Sequence, residues 1–198
     1  MNEQIKERTL IVLKPDAVKR GLMGEIVQRF EKVGLKMIAG KFIEVSEDIA
    51  RKHYPDTEEW KRTVGQRTID DCEKYGVDLL SNVGTTDPLE VGEVVKKWNE
   101  DFLLSGPVFA MVWQGINAVE RARSLVGSTV PAKASPGTIR GDYSLDSAIE
   151  ANKRSRTIYN LVHASGSVEE AEDEIELWFG DKEIFGGYRL VYEDLYKY

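Results

Sequence analysis

Cysteine is almost missing from this chain. Cys72 stands alone among 198 residues, which excludes an internal disulfide framework and fits a reducing cytoplasm. Long apolar runs are missing too. None approaches the ~20 residues of a membrane span, and the opening Met-Asn-Glu-Gln-Ile-Lys-Glu-Arg has no signal-peptide core. The expected location is cytoplasmic, with no membrane partner. Positive charge is in deficit: 27 Lys and Arg face 34 Asp and Glu, a net −7. No global basic field for nucleic acid exists, nor any basic–aromatic interleaving, so an anionic ligand requires a local cluster of cations. Histidine is scarce as well, with His53 and His163 the only two.

What is present describes a globular chain, 41% hydrophobic and 31% charged, long enough for a real core. No repeat, low-complexity tract or Gly/Ser linker divides it, so one domain is expected over 1–198. Short strands and helices alternate. Thr9 to Leu13 reads as a strand stopped by Lys14-Pro15-Asp16. Ile26, Val27, Phe30 and Val33 mark a helix that Gly34 ends. Lys36 to Val45 reads as a strand, after which Ser46 caps a helix reaching Tyr54. Pro107 to Trp113 is a third strand, and Asn117 with Glu120 opens a helix running to Gly127. The run Ile158 to Val162 reads as a short buried strand, and Ser167 with Glu170 has capping-box spacing for a final helix. That helix carries Val168, Ala171, Ile175, Trp178 and Phe179 on one stripe. The sum is an α+β pattern, the ferredoxin-like βαββαβ sandwich with an antiparallel sheet. Between Tyr54 and Ser105 lies a helical insertion (55–104), with helices over Glu58–Tyr75 and after Asp87-Pro88 and a loop over Val77–Thr86. A second, short insertion (144–156) has one helical turn suggested by Leu145, Ala148 and Ile149.

The residues with chemistry lie in a few places. His163 closes its apolar run just before a capped helix, a rigid strand-to-helix corner from which an imidazole can face a cleft. The bland alternative is a histidine that merely ends a strand. Lys14 stands at the carboxyl end of the first strand, where a lysine is usually a solvated charge. Arg121-Ala122-Arg123 rides a helix leading to Gly127-Ser128-Thr129. Pro136-Gly137-Thr138-Ile139-Arg140-Gly141-Asp142 is a glycine- and proline-shaped loop whose arginine could simply pair with Asp142. His53, on a short polar helix beside Pro55, reads as solvated.

Taken together these segments resemble the nucleoside diphosphate kinases over nearly the whole chain outside the two insertions. The matching pieces are Glu7-Arg8-Thr9-Leu10 with Lys14-Pro15-Asp16, Gly21-Leu22-Met23-Gly24-Glu25-Ile26, and Ser105-Gly106-Pro107-Val108. Pro136 to Asp142 and Asn160-x-x-His163-x-Ser165 complete the set. The resemblance implies reversible transfer of the terminal phosphoryl group from ATP or another nucleoside triphosphate to a nucleoside diphosphate. It implies a ping-pong route through phosphohistidine at His163. A neutral imidazole, with a pKa near ~6.5, offers a lone pair without a separate base. The loose, highly charged transition state makes placement and neutralisation the main tasks.

By the same resemblance Lys14 meets the transferring phosphate, and Arg123 and Arg140 grip neighbouring oxygens with guanidinium forks. Thr129 donates its hydroxyl to phosphate, Asn160 bonds the sugar, and Tyr54 lies near the histidine and lysine. Glu174 orients the imidazole, and Ser165 supports it. Mg²⁺ arrives on the nucleotide, held by phosphate oxygens and water rather than by a protein ligand. A homo-oligomer, a hexamer built from dimers, is the implied assembly. The chain departs from the family pattern in two places. Gly166 stands where an aspartate is frequent, and the usual Pro-Phe-Phe segment that stacks on the base is absent after Tyr54. Trp60 is the available substitute, or else an anchor of the insertion. The competing reading, from another class, is a nucleotide-binding or assembly protein that kept the fold and lost turnover.

Overall fold

A computed structural model describes residues 6–190. Its strands and helices run in the order β1 (Lys6–Leu13), α1 (Pro15–Lys19), α2 (Met23–Lys32), β2 (Lys36–Ile43), α3 (Glu47–His53), α4 (Glu58–Tyr75), α5 (Leu79–Val83) and α6 (Pro88–Leu103). There follow β3 (Val108–Ile116), α7 (Ala118–Val126), α8 (Ile139–Tyr143), α9 (Ala148–Lys153), β4 (Val162–Ala164) and α10 (Val168–Trp178). They fall into two compact units. Of the described residues, one takes 6–43, Val108–Val126 and 162–190; the other takes Glu44–Pro107 and Gly127–Leu161.

The first unit holds the whole sheet, in the order β2-β3-β1-β4 with antiparallel neighbours. With α2 between β1 and β2 and α7 between β3 and β4, this is the expected ferredoxin-like arrangement. Central strand β1 is buried continuously from Thr9 to Leu13. Such a run, rather than an alternation, marks a strand covered on both faces. Helices α7 and α10 lie against β1, and α2 against β2. The Phe30 and Trp113 rings meet at 5.4 Å between centroids. The Arg8 guanidinium pairs with Glu172, its Nε 3.0 Å from Oε1, which ties β1 to α10. At the edge, the chain after α10 crosses β2: Phe185 N–H donates to the Ile38 carbonyl, and buried Lys36 donates to the carbonyls of Gly186 and Tyr188.

The second unit is helical. Helices α4 and α6 touch backbone to backbone. A Cβ at Gly65 would lie 1.8 Å from the Pro88 carbonyl oxygen, and one at Gly92 would lie 2.0 Å from that of Lys61. The short insertion is fastened to the long one. Asn152 Nδ2 reaches Cys72 Sγ at 3.4 Å, and Ser155 Oγ donates to the Asn82 carbonyl at 2.8 Å. Asp146 accepts a two-pronged bond from Arg156 (2.6 and 3.0 Å) and the Tyr159 N–H (2.7 Å).

Several expectations hold. The helix over Glu58–Tyr75 has the bounds read from sequence, with Thr57 accepting the Trp60 N–H and Gly76 ending it at φ +63°. Ser46, Asp87 and Ser167 cap the helices they were expected to open. Others are corrected. The supposed loop Val77–Thr86 contains α5, capped by Asp78. The strand expected over Ile158–Val162 is Val162–Ala164 instead. Leu161 adopts φ +68°, which breaks the extended run. Side chains also claim the backbone groups before it: Asp146 takes the Tyr159 N–H, Ser144 donates to the Tyr159 carbonyl, and Arg140 to that of Asn160. Residues 158–161 form no strand, and pairing with β1 begins only at Val162. His53 is not solvated but 7% exposed, because Ala50 and His53 share the buried face of α3.

Candidate active site

In the sheet unit His163 sits within β4, paired with Val12 of β1. Its Nε2 lies 2.7 Å from Glu174 Oε1. The other carboxylate oxygen accepts the Ser165 hydroxyl at 2.7 Å, and that hydroxyl oxygen accepts the Leu10 N–H at 3.1 Å. A serine has one proton to give, and the shorter contact places it on Glu174 rather than on the Leu10 carbonyl at 3.4 Å. The result is a buried chain of groups from the β1 backbone through Ser165 and Glu174 to the imidazole. A carboxylate this close to Nε2 favours the tautomer with its proton on that nitrogen, which leaves the lone pair on Nδ1.

Lys14 follows the last residue of β1 in extended conformation, φ −75° and ψ 168°. Side chains alternate along a strand, so Lys14 projects to the same side as Val12, and Val12 lies opposite His163. The lysine is 7% exposed rather than solvated. Arg123 stands on α7, which packs against β4. Its guanidinium is exposed, and among the described residues it closes no ion pair or hydrogen bond.

The helical unit gathers Thr129, Arg140 and Asn160. Arg140, 7% exposed, sits in the first turn of α8 rather than in a loop; Thr138 caps that helix by accepting the Gly141 N–H. Its Nε donates to the Asn160 carbonyl at 3.0 Å and one terminal nitrogen to the Gly127 carbonyl at 2.9 Å. Asn160 in turn donates from Nδ2 to the Thr129 carbonyl at 3.0 Å. The Asp142 carboxylate accepts the Gly137 N–H at 2.7 Å and shapes the turn into α8. Tyr54 follows α3, its ring edge-on to His53 at 4.9 Å. Trp60 is half-buried in the first turn of α4.

One group escaped the sequence reading. A Cβ on Gly166 would fall 2.5 Å from Glu170 Oε2, so the Glu170 carboxylate occupies the space that a side chain at 166 would need. Desolvation, then the neighbouring Glu174 charge, raises the Glu170 pKa, while the Gly166 backbone and Arg123 oppose that rise. The Ser-x-x-Glu spacing hid this role, since it gave Glu170 a capping duty.

An imidazole backed by a carboxylate, with cations on the flanking elements, is an arrangement suited to an enzyme that handles phosphoryl groups. The nucleoside diphosphate kinase family model matches residues 7–66 and 96–184. The nucleoside diphosphate kinase of Pyrobaculum aerophilum is 49% identical over 178 residues, covering 90% of this chain and 97% of the relative. Nucleoside diphosphate kinase A1 of Xenopus laevis is 38% identical over 192 residues, 97% of each. Among solved structures, the P. aerophilum NDP kinase aligns with a TM-score of 0.89 and 46% identity, over 91% of this chain and all of that one. The Borrelia burgdorferi enzyme, a transition-state mimic with vanadate and ADP, aligns at 0.76 and 37% identity over 96% of each. The chain belongs to the nucleoside diphosphate kinase family. The unmatched residues 67–95 lie within the segment read as an insertion. Among the described residues, no helix is long and apolar enough to cross a membrane.

Proposed function

We propose that this chain moves a terminal phosphoryl group between nucleotides with His163 as the nucleophile. The observation carrying this reading is the buttressed imidazole, with Nε2 2.7 Å from Glu174 Oε1 and that carboxylate held by Ser165. Nδ1 attacks the γ-phosphorus of ATP. The N–P bond forms as the bridging P–O bond breaks, and its electron pair leaves on the β-phosphate of ADP. A second nucleoside diphosphate then attacks the phosphohistidine with a terminal β-phosphate oxygen, which restores neutral His163. Glu174 accepts the Nε2–H throughout, steadying positive charge on the ring.

Lys14 stabilises the transferring oxygens, and Arg123 and Arg140 hold the neighbouring phosphates. Thr129 adds a hydroxyl, Asn160 takes the sugar hydroxyl, and Tyr54 completes the ligand set. Magnesium enters as part of the nucleotide substrate, coordinated by phosphate oxygens and water. Contacts of this kind are to phosphate and sugar, so broad base acceptance follows. The chain is read as one catalytic domain that works in the cytoplasm and assembles as a homo-oligomer, a hexamer of dimers. Edge strand β2, where Phe42 is 56% exposed, offers a surface for such assembly. A coupled assay decides between turnover and binding alone. ATP should form from ADP and a second triphosphate, and binding without ATP formation would favour the non-catalytic reading.

A further inference from the structure

The short insertion 144–156 closes on the residue just before Asn160. The Asp146 carboxylate accepts the Tyr159 N–H at 2.7 Å while holding Arg156 in a two-pronged ion pair at 2.6 and 3.0 Å. The Arg156 guanidinium lies over the Tyr159 ring, 4.1 Å from its centroid, and Phe102 of α6 stacks on the same ring at 4.7 Å. Ser144 Oγ donates to the Tyr159 carbonyl at 2.9 Å. Both backbone groups of Tyr159, and its ring, are therefore engaged by side chains of the insertion and of α6. Asp146 also ties down the far side of the same small region. Its own carbonyl accepts the Ala132 N–H at 3.0 Å, shortly after Thr129, whose carbonyl accepts from Asn160 Nδ2.

We propose that the Asp146–Arg156 pair positions Asn160: it fixes the backbone at Tyr159, so that the Asn160 amide is already aimed when the nucleotide sugar arrives. This rests on the reading of Asn160 as the sugar ligand. Residues 157–160 lie in neither helix nor strand, so no ladder of main-chain bonds holds them. A ligand that had to order such a segment would bind more weakly, and anchors made in advance remove that loss. The pair suits this duty. Its side chains are only 22% (Arg156) and 12% (Asp146) exposed, so solvent screens it little, and the guanidinium fork fixes direction as well as distance. Leu161 adds a demand for such anchors. Its φ of +68° is unfavourable for a residue with a side chain and persists only where the surroundings fix the chain around it. Arg140 and Thr129 hold Asn160 itself; Asp146 holds the residue that aims it. The insertion thus belongs to the nucleotide site without touching the nucleotide.

The test compares the Kd of ADP with that of its dideoxy analogue, which lacks the sugar hydroxyls, on the full chain and well below the Tm of each variant. Wild type should prefer ADP by about 3- to 10-fold, the worth of one neutral hydrogen bond. Asp146→Ala should erase most of that preference, weakening ADP while leaving the analogue within about twofold of wild type. Asp146→Asn, whose amide oxygen can still accept the Tyr159 N–H, should keep an intermediate preference. In an Asn160→Ala background Asp146→Ala should change the ADP Kd no further, since its effect passes through the missing amide. A variant that merely loosens the fold weakens both diphosphates alike. That result, or a preserved preference in Asp146→Ala, would overturn the proposal. Should Asp146→Ala not fold, Arg156→Gln leaves the Tyr159 acceptor in the chain but unanchored, and carries the same expectation and the same refutation. Equal binding of the two diphosphates by wild type would instead overturn the reading of Asn160 as the sugar ligand, and the proposal with it.

Discussion

Replacing Ser165 by alanine probes the framework behind the imidazole. Ser165 is fully buried, and its oxygen is engaged on two sides. Losing its donated bond removes a hydrogen bond to a buried carboxylate, a contact to a charged group worth about 1.5–3 kcal/mol. It also strips the Leu10 N–H of its acceptor inside the sheet, costing about 1–3 kcal/mol more. The combined loss should be about 3–5 kcal/mol. At roughly 2–4 °C per kcal/mol for a chain of this size, Tm should fall by about 6–20 °C in a thermal melt. Glu174, held from one side only, should then orient His163 less well, and kcat should drop about tenfold. Glu174→Gln is the instructive companion. The Ser165 hydroxyl can rotate its proton to the Leu10 carbonyl, 3.4 Å away, and accept from the new amide. That variant should therefore keep most of its stability while losing activity. A Ser165→Ala protein with Tm within about 2 °C of wild type and unchanged kcat would refute the chain of bonds drawn here.

The two arginines should separate by burial. Arg123→Ala should cost about 2–4 kcal/mol of transition-state stabilisation in kcat/KM with Tm unchanged. Arg140→Ala should cost as much in kcat/KM and also lower Tm, because the carbonyls of Asn160 and Gly127 lose their donor. Equal melting behaviour would contradict the buried placement of Arg140. Asp146 is pushed up by desolvation, but its bonds from Arg156 and the Tyr159 N–H outweigh that and leave its pKa below the ordinary value. A depressed carboxylate contributes stability above its unfolded pKa and loses it as pH falls through the folded one. Asp146→Asn should thus be about 1–3 kcal/mol less stable at pH 7, with the gap closing in acid; a gap independent of pH would reject the ion pair as its source. Trp60→Ala should lower Tm and leave nucleotide Kd unchanged, as its half-burial in α4 suggests. A Kd weakened by about 1–3 kcal/mol without a stability change would make it the base-stacking surface instead.

Much of the frame was legible because local chemistry and tertiary structure agree. Thr57 with Gly76, and Asp87 with Pro88, declare their helices through capping groups that need no knowledge of the rest of the chain. The strand before His163 was misread for the opposite reason. Apolar content says that residues 158–161 are sheltered, but whether a neighbour supplies backbone bonds depends on Asp146, Ser144 and Arg140, which come earlier in the chain. His53 was misjudged because its helix is polar in composition while one face, shared with Ala50, is buried. The positions of Lys14, Arg123, Arg140, Asn160 and His163 came from the ordered motifs of a resemblance, not from periodicity. Glu170 had no motif to announce it. Its seat exists only because Gly166 lacks a side chain, a relation that neither residue reveals alone.

The central claim is a covalent phosphohistidine at His163. The protein is incubated with ATP labelled in its terminal phosphate and Mg²⁺, without acceptor, and the modified peptide is mapped. A phosphorus–nitrogen bond to imidazole hydrolyses in acid and survives alkali, whereas a serine ester does the reverse. The label should be acid-labile, map to His163, discharge on adding a different nucleoside diphosphate, and be absent from His163→Ala. Acid-stable label on Ser165 or Ser167, or full turnover by His163→Ala, would contradict the account.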